Sequence, residues 1–256
     1  MKRVVKFVLL VVVLIVVGVA GLLAVTFMGR RPLTDGQTFN SVRIVADGFS
    51  GIGVITIDER QVALVDAGND SSGEAILAEL SRRNLGPDAV SAIFITHGHG
   101  DHIGAVGLFP KAQVMALDAE AALVEGRAGA RGPLTRLFPV RPTGITVTRR
   151  LQDGDVVTVG GMPVRVYAVP GHTGGSAAYL VDGVLFLGDS ADIDSDGNLL
   201  GAPWVFSDSQ AENRASLARL EQRLAADGVK VMAMVPAHSG ASDGIAPLTA
   251  FAQANR

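Results

Sequence analysis

Residues 95–105, "ITHGHGDHIGA", place His97, His99, Asp101 and His102 within six positions, in a chain that has five histidines in all. The other two histidines and one further aspartate share a feature with this cluster: each follows an apolar run of strand-like composition. "AIFIT" precedes His97, "YAVPG" precedes His172, "MAMVPA" precedes His238 and "VLFLG" precedes Asp189. Strand ends at one edge of a sheet converge in space while lying far apart in sequence. Neutral imidazole and carboxylate are preferred ligands of zinc and similar ions, so the pattern is that of a metal site. In an extended or tight-loop backbone residues 97 and 99 point to the same side, which leaves Asp101 and His102 to serve a second ion nearby. The chain has no cysteine, hence no thiolate ligand and no disulfide, which fits an oxidising compartment.

The elements that must position these residues are legible from composition. "SVRIVA", "GVITID" and "VALVDAG" read as short strands whose patchy alternation suits sheets covered on one or both faces. "SSGEAILAELSRRNLG" has apolar residues at near-helical spacing with Gly86 as its stop, and "VSAIFIT" is a buried strand that ends at the histidines. "AQVMALD" and "AEAALVEG" add a strand and a short helix. Five further strand-like runs between 145 and 190 are separated by "QDGD", "GG" and "DG" turns. A helix is predicted over 209–227, with Ser209 and Glu212 at capping-box spacing and Gly228 closing it; "VKVMAMVPAHSG" is a strand, and "APLTAFAQAN" a last helix with Pro247 in its first turn. This order predicts two packed sheets with helices outside.

The first 31 residues differ from the rest. Phe7 to Met28 is a 22-residue stretch without a charge, long enough as a helix to cross a bilayer core. Lys2, Arg3 and Lys6 precede it, so the positive-inside rule places the N-terminus in the cytoplasm and the remaining chain outside. The expectation is a membrane-anchored, extracytoplasmic catalytic domain. Secretion after signal cleavage, with "GVAG" (18–21) offering a cut after Ala20, is the alternative. The division is 1–31 anchor or signal segment, 32–40 linker and 41–256 catalytic domain. Without residues 1–31 the chain has 17 basic against 25 acidic side chains, a formal net charge of −8 that opposes a nucleic-acid partner.

"LVDAG" (64–68), "THGHGDH" (96–102), "PGHTGGS" (170–176), "LGDS" (187–190) and "PAH" (236–238) occur in this order, and with them the chain resembles the metallo-β-lactamase superfamily over roughly residues 41–245. The resemblance implies a four-layer αββα sandwich, here preceded by a transmembrane helix, and two metal ions per chain, zinc first, with iron or manganese as alternatives. It assigns His97, His99 and His172 to one ion, Asp101, His102 and His238 to the other, and Asp189 to both. Asp66 resembles the family's strand-end aspartate, which supports the ligand loop from behind; plain turn chemistry in "DAG" is the other reading. Ser190, beside Asp189, is a second supporting position. Two divalent ions would make a bridging hydroxide available near neutral pH for attack on an acyl carbonyl, with Asp101 orienting it and passing its proton to the leaving group.

The expected function is therefore a metal-dependent hydrolase of small lactam, lactone or thioester substrates. The alternatives are a mononuclear iron sulfur-dioxygenase, which would not need His238, and a phosphodiesterase or nuclease, which the acidic domain opposes. Only 18 residues follow His238, too few for the C-terminal substrate domain of glyoxalase-type relatives, which counts against a glutathione thioester. Three features remain open. Residues 127–144 hold four arginines, three prolines and no acid, and read as a surface excursion, a substrate lid or a contact for anionic lipid headgroups. "DIDSDG" (192–197) starts like an EF-hand loop but has Pro203 where the twelfth-position glutamate should be, so a polar loop beside the site is the default. Trp204, the lone tryptophan, reads either as a wall of the pocket or as a satellite core residue.

Overall fold

The computed structural model describes residues 2–255. One long helix, α1 (Lys2–Phe27), precedes two sheets. The first sheet has the order β1 (Thr38–Phe39), β2 (Val42–Asp47), β3 (Ser50–Thr56), β4 (Val62–Val65), β5 (Val90–Phe94), β6 (Gln113–Leu117), β7 (Arg149–Leu151). Helices α2 (Glu74–Arg82), α3 (Gly100–Ile103) and α4 (Asp118–Val124) make the crossovers between its parallel strands β4 to β7. The second sheet is built from β8 (Val156–Val159), β9 (Met162–Ala168), β10 (Ala177–Val181), β11 (Val184–Gly188), β14 (Ala233–Pro236) and β15 (Ser242–Asp243). Between β11 and β14 the chain forms a hairpin, β12 (Ala191–Ile193) and β13 (Leu199–Gly201), and helix α5 (Gln210–Ala226); α6 (Ala246–Ala254) comes last. Ser209 caps α5 as the sequence predicts, its hydroxyl accepting from the Glu212 amide at 3.2 Å.

Three apolar layers hold four structural layers together, which is the expected αββα sandwich. Strand residues alternate between them. In β4, Val62 and Leu64 face α2 and α4, while Ala63 and Val65 face the other sheet; in β11, Leu185 and Leu187 face α5 and α6, while Val184 and Phe186 face β3 and β4. Both faces of these strands are buried, which is why their sequences read as nearly unbroken apolar runs. Helix α5 contributes a stripe of Leu217, Leu220 and Leu224, on the order of 1.5–3 kcal/mol each on burial.

Strand direction explains where the functional side chains gather. β4, β5 and β6 run parallel, so Asp66, the 96–102 loop and the start of α4 leave the sheet at one edge. β11 runs parallel to β14, and β9, antiparallel to β10, has the same direction, so Asp189, His238 and His172 leave the second sheet at a common edge. The two edges are joined directly. The Ala177 amide donates to the Thr96 carbonyl at 2.9 Å, and the Tyr179 hydroxyl to the Ile95 carbonyl at 2.8 Å.

The stretch between α1 and the sheets is not a free tether. Gly29 accepts from the Ser195 amide at 2.8 Å, Arg31 donates to the Ile193 carbonyl and accepts from the Gly240 amide, both at 2.9 Å, and β1 forms inside the predicted 32–40 linker. Arg30 reaches Asp192 at 2.9 Å with both side chains buried. That contact also disposes of the EF-hand start. Asp192 turns inward from β12, and Asp194 closes the β12–β13 turn by accepting from the amides of Asp196 and Asn198. Residues 192–193 thus belong to β12, with the first carboxylate turned to a buried guanidinium, and 194–198 form the polar turn into β13.

The sheets pack closely at Gly53 of β3, where a Cβ would lie 2.4 Å from the Phe186 ring. Gly53→Ala is therefore expected to lower stability by ~1–3 kcal/mol through overpacking, measured as a fall in the thermal midpoint. An unchanged midpoint would mean that the sheets can separate there at no cost.

Candidate metal centre

All five histidines and both aspartates converge where the strand ends meet. His97 Nε2, His99 Nδ1 and His172 Nε2 form a triangle with sides of 3.0, 3.0 and 3.1 Å. Beside it, His238 Nε2 lies 3.2 Å and His102 Nε2 3.7 Å from an Asp101 carboxylate oxygen. Asp189 stands between the groups. Its Oδ2 is 3.4 Å from His172 Nε2, while its Oδ1 is 3.1 Å from the Nε2 atoms of both His102 and His238. The described residues thus form two groups that could each hold a metal ion: His97, His99, His172 and Asp189 in one, and Asp101, His102 and His238 in the other.

The outer ring nitrogens reveal which atoms face inward. Thr96 Oγ1 donates to Asp66 Oδ2 at 2.8 Å, so at 3.2 Å it accepts from His97 Nδ1–H. Ser207 Oγ donates to the Pro203 carbonyl at 2.7 Å and accepts from His172 Nδ1–H at 3.0 Å. His102 Nδ1 donates to Asp66 at 2.8 Å, and His238 Nδ1 to the Phe49 carbonyl at 2.9 Å. Each of these four rings keeps its Nδ1 proton outside and presents Nε2 to the centre, the arrangement that orients metal-binding histidines. His102 Nε2 and Asp189 Oδ1 are buried 3.1 Å apart and have no hydrogen-bond partner outside the centre among the described residues. Converging lone pairs and unpartnered buried oxygen are costly alone and are satisfied by cations, so the donor set fits zinc-class ions.

Electrostatics separate the two groups. Burial drives the pKa of His97 well down and that of His172 to about 3, so both rings are neutral donors at pH 7. Burial also opposes charge on His102 and His238, but Asp189, aided by Asp66 and Asp101 respectively, outweighs it. His102 is held well above its usual range and His238 at about 10. Burial works against the Asp101 carboxylate, yet its histidine neighbours keep its pKa down at about 2.

Asp66 does more than close a turn. Besides His102 and the Thr96 hydroxyl it accepts from the Thr96 amide at 2.7 Å, so one carboxylate orients two rings. Ser190 faces elsewhere: its hydroxyl donates to the Val169 carbonyl at 3.4 Å, and its own carbonyl accepts from buried Asn213 at 2.8 Å, which fixes the backbone beside Asp189. Sequence reasoning missed Glu120 of α4, which is buried. It accepts from the Gly98 amide at 2.8 Å, between His97 and His99, and from the Thr173 hydroxyl at 2.9 Å, next to His172. Helix α4 lies so close that a Cβ on Gly98 would be 2.6 Å from the Val124 nitrogen, and one on Gly175 2.4 Å from that of Glu120. The available signal was an acid among the apolar residues of a short helix; only contact with both loops gives it a role.

The centre lies at the floor of a cavity of about 1130 Å³, with His99, Asp101, Asp189 and His238 exposed to it. The arginine-rich segment forms one wall through Phe138, Val140 and Arg141, and its Arg127 and Arg131 pair with Glu125 and Asp208. Phe206 lines the cavity, whereas Trp204, two residues earlier, is half exposed and does not. A smaller cleft of about 600 Å³ between β2 and α2 contains none of these histidines.

Residues 46–234 match the model of the metallo-β-lactamase superfamily, and the chain belongs to that superfamily. Among curated proteins, a hydroxyacylglutathione hydrolase of Cupriavidus taiwanensis is 34% identical over 64% of this chain and 55% of its own. One from Vibrio cholerae is 33% identical over 51% and 42%. The chain spans about half the length of these relatives. Metallo-beta-lactamase domain-containing protein 1 of Xenopus laevis is 25% identical over 68% of this chain and 69% of its own. Among solved structures, a B3 metallo-β-lactamase with an active-site glutamic acid superposes with a TM-score of 0.67 at 21% identity, covering 91% of this chain and 90% of that one. The metallo-β-lactamase MIM-1 from Novosphingobium pentaromativorans gives 0.66 at 22%, covering 89% and 88%. These likenesses show the fold.

Glu120→Ala would free both loops that carry the histidine triangle. Its zinc affinity, measured by competition with a chelator, is expected to fall roughly 10–100-fold, as for other residues that orient ligands. Wild-type affinity in this variant would assign Glu120 to stability alone.

Proposed function

We propose that the chain is a dinuclear metal-dependent hydrolase of acyl compounds, held at the outer face of a membrane by α1, with residues 41–256 as its catalytic domain. The observation that carries this reading is Asp189, whose two oxygens face different histidine groups. His97, His99 and His172 would hold one ion, Asp101, His102 and His238 the other, and Asp189 both. When bound, such ions supply Lewis acidity and a water acidified toward neutral pH.

The protein supplies the rest. The Nδ1 bonds to Thr96, Asp66, Ser207 and Phe49 keep four rings from turning. Asp101, part-exposed at the cavity floor, is the carboxylate placed to take a proton from water and return it to a leaving group. A complete second group, Asp101 with His102 and His238, favours this reading over a mononuclear iron oxygenase. Pairing of Arg127 and Arg131 with acids argues against a phosphodiester path. Lactams, lactones and thioesters share the attack on a carbonyl. The hydroxyacylglutathione hydrolases among the relatives support the thioester class, and the B3 lactamase likeness supports only the fold that such chemistry can use.

The test is hydrolysis of lactam, lactone and thioester panels by the zinc-loaded full chain, alongside its metal content. Asp189→Ala should reduce metal from about two ions per chain toward one and cut turnover by orders of magnitude, while His238→Ala should empty only the second site. Retention of two ions and normal turnover by Asp189→Ala would refute the bridging role. Proton release offers a check independent of turnover. His102 and His238 carry Nε2 protons in the metal-free protein at pH 7, whereas His97 and His172 do not. Loading both sites should therefore release the two imidazole protons and up to one more from water acidified by the ions, read by calorimetry in buffers of different ionisation enthalpy, and second-site affinity should weaken as pH falls. Release near zero at pH 7 would contradict the proposed charge state.

A further inference from the structure

Part of the cavity wall is made by the N-terminal helix itself. Leu23 and Phe27, in the last turns of α1, line the same space as Asp101, Asp189 and His238. The Phe27 ring is 5.9 Å from that of Phe206 and stands edge-on to His238 at 6.3 Å, and the Arg30 guanidinium covers it at 4.3 Å. Only Met28 separates Phe27 from the strap pinned to β12 and to the loop after β14, so this end of α1 is held in place. Leu23 lies inside the uncharged run that ends at Met28, about five residues or roughly 7 Å from its boundary. With α1 across a bilayer, one side of the cavity is therefore at the depth of the outer acyl chains.

Other residues that line the cavity match such a location. Phe49, Phe138 and Val140 line the cavity and are 59, 62 and 55% exposed, and Leu137 beside them is 70% exposed. A soluble monomer rarely displays a cluster of this kind around a polar floor. Exposed Arg136 and Arg141 flank it, where guanidinium groups meet anionic headgroups.

We infer that the cavity draws its substrate from the membrane: an amphiphile with a long acyl chain, which lies between Phe27 and Phe138 while its carbonyl reaches the histidine centre. This rests on the hydrolase reading proposed above. In the reaction water's oxygen bonds to the acyl carbon, the bond from that carbon to the leaving heteroatom breaks, and that heteroatom takes the proton. Burial of each additional methylene stabilises the complex, so chain length should govern kcat/KM up to the reach of the groove.

The full chain, zinc-loaded and reconstituted in vesicles, would be given matched acetyl, octanoyl and palmitoyl thioesters and alkyl-substituted lactones. At least a tenfold rise in kcat/KM from the shortest to the octanoyl member is expected. F27S and F138S should each flatten that profile. A second measurement needs no turnover. A W204F/F138W chain carries one tryptophan at the rim, and lipids brominated in their acyl chains should quench it. A flat chain-length profile with turnover intact overturns this inference and leaves the hydrolase reading standing. Unquenched fluorescence overturns the membrane-facing cavity whatever the turnover. Quenching with no turnover of any acyl compound overturns the hydrolase reading and, with it, the acyl substrate.

Discussion

Asp189 sits where five imidazoles meet, and its charge is the condition on which the arrangement of the centre depends. One oxygen is 3.1 Å from two ring nitrogens and the other 3.4 Å from a third, with all of these side chains largely buried. A carboxylate so deeply buried is costly unless opposite charge surrounds it. Asp189 correspondingly favours protonation of His102 and His238, and zinc-class cations would offset its charge in the same way. The side chains around the site are arranged to keep the inward nitrogens available for such ions.

Support for the centre is distributed between both halves of the sandwich. Asp66 leaves β4 and holds Thr96 and His102; Glu120, from the helix after β6, ties the amide between His97 and His99 to the residue after His172. Ser207 and Phe49 orient His172 and His238 from loops of the second and first sheets. Moving one sheet relative to the other would therefore disturb ligands from each, which makes the tight packing at Gly53 and Phe186 relevant to the centre as well as to stability.

The N-terminal segment belongs to the same system. Arg30 is buried against Asp192, three residues beyond Asp189, and burial raises the pKa of Asp192 to about 6 even with the guanidinium opposing it. The residues that connect α1 to the domain thus also shape the back of the site, and the last turns of α1 shape its mouth. A helix whose composition suits a bilayer contributes side chains to a cavity with a polar floor.

Much of this was legible in the sequence because it depends on local chemistry. The histidines and Asp189 are each preceded by apolar runs that must be strands, and an HxHxDH cluster of good ligands at a strand end has few alternative uses. The capped helix at 210–226, the last helix and the uncharged 7–28 run likewise follow from residue types within a few turns of each other. What the sequence could not supply was partnership across distance. Glu120 looks like any acid in a short helix until α4 is seen against two loops. Arg30 and Asp192 are 162 positions apart, and the latter resembled the start of a calcium loop because nothing nearby announces its guanidinium. Strand identity is set by short-range pattern, so the sequence alone determined which residues could bind metal. Which of their atoms meet within one group, which ring nitrogen each turns outward, and that the end of the apolar helix α1 lines their cavity depend on contacts between remote segments, and only the tertiary structure decided those.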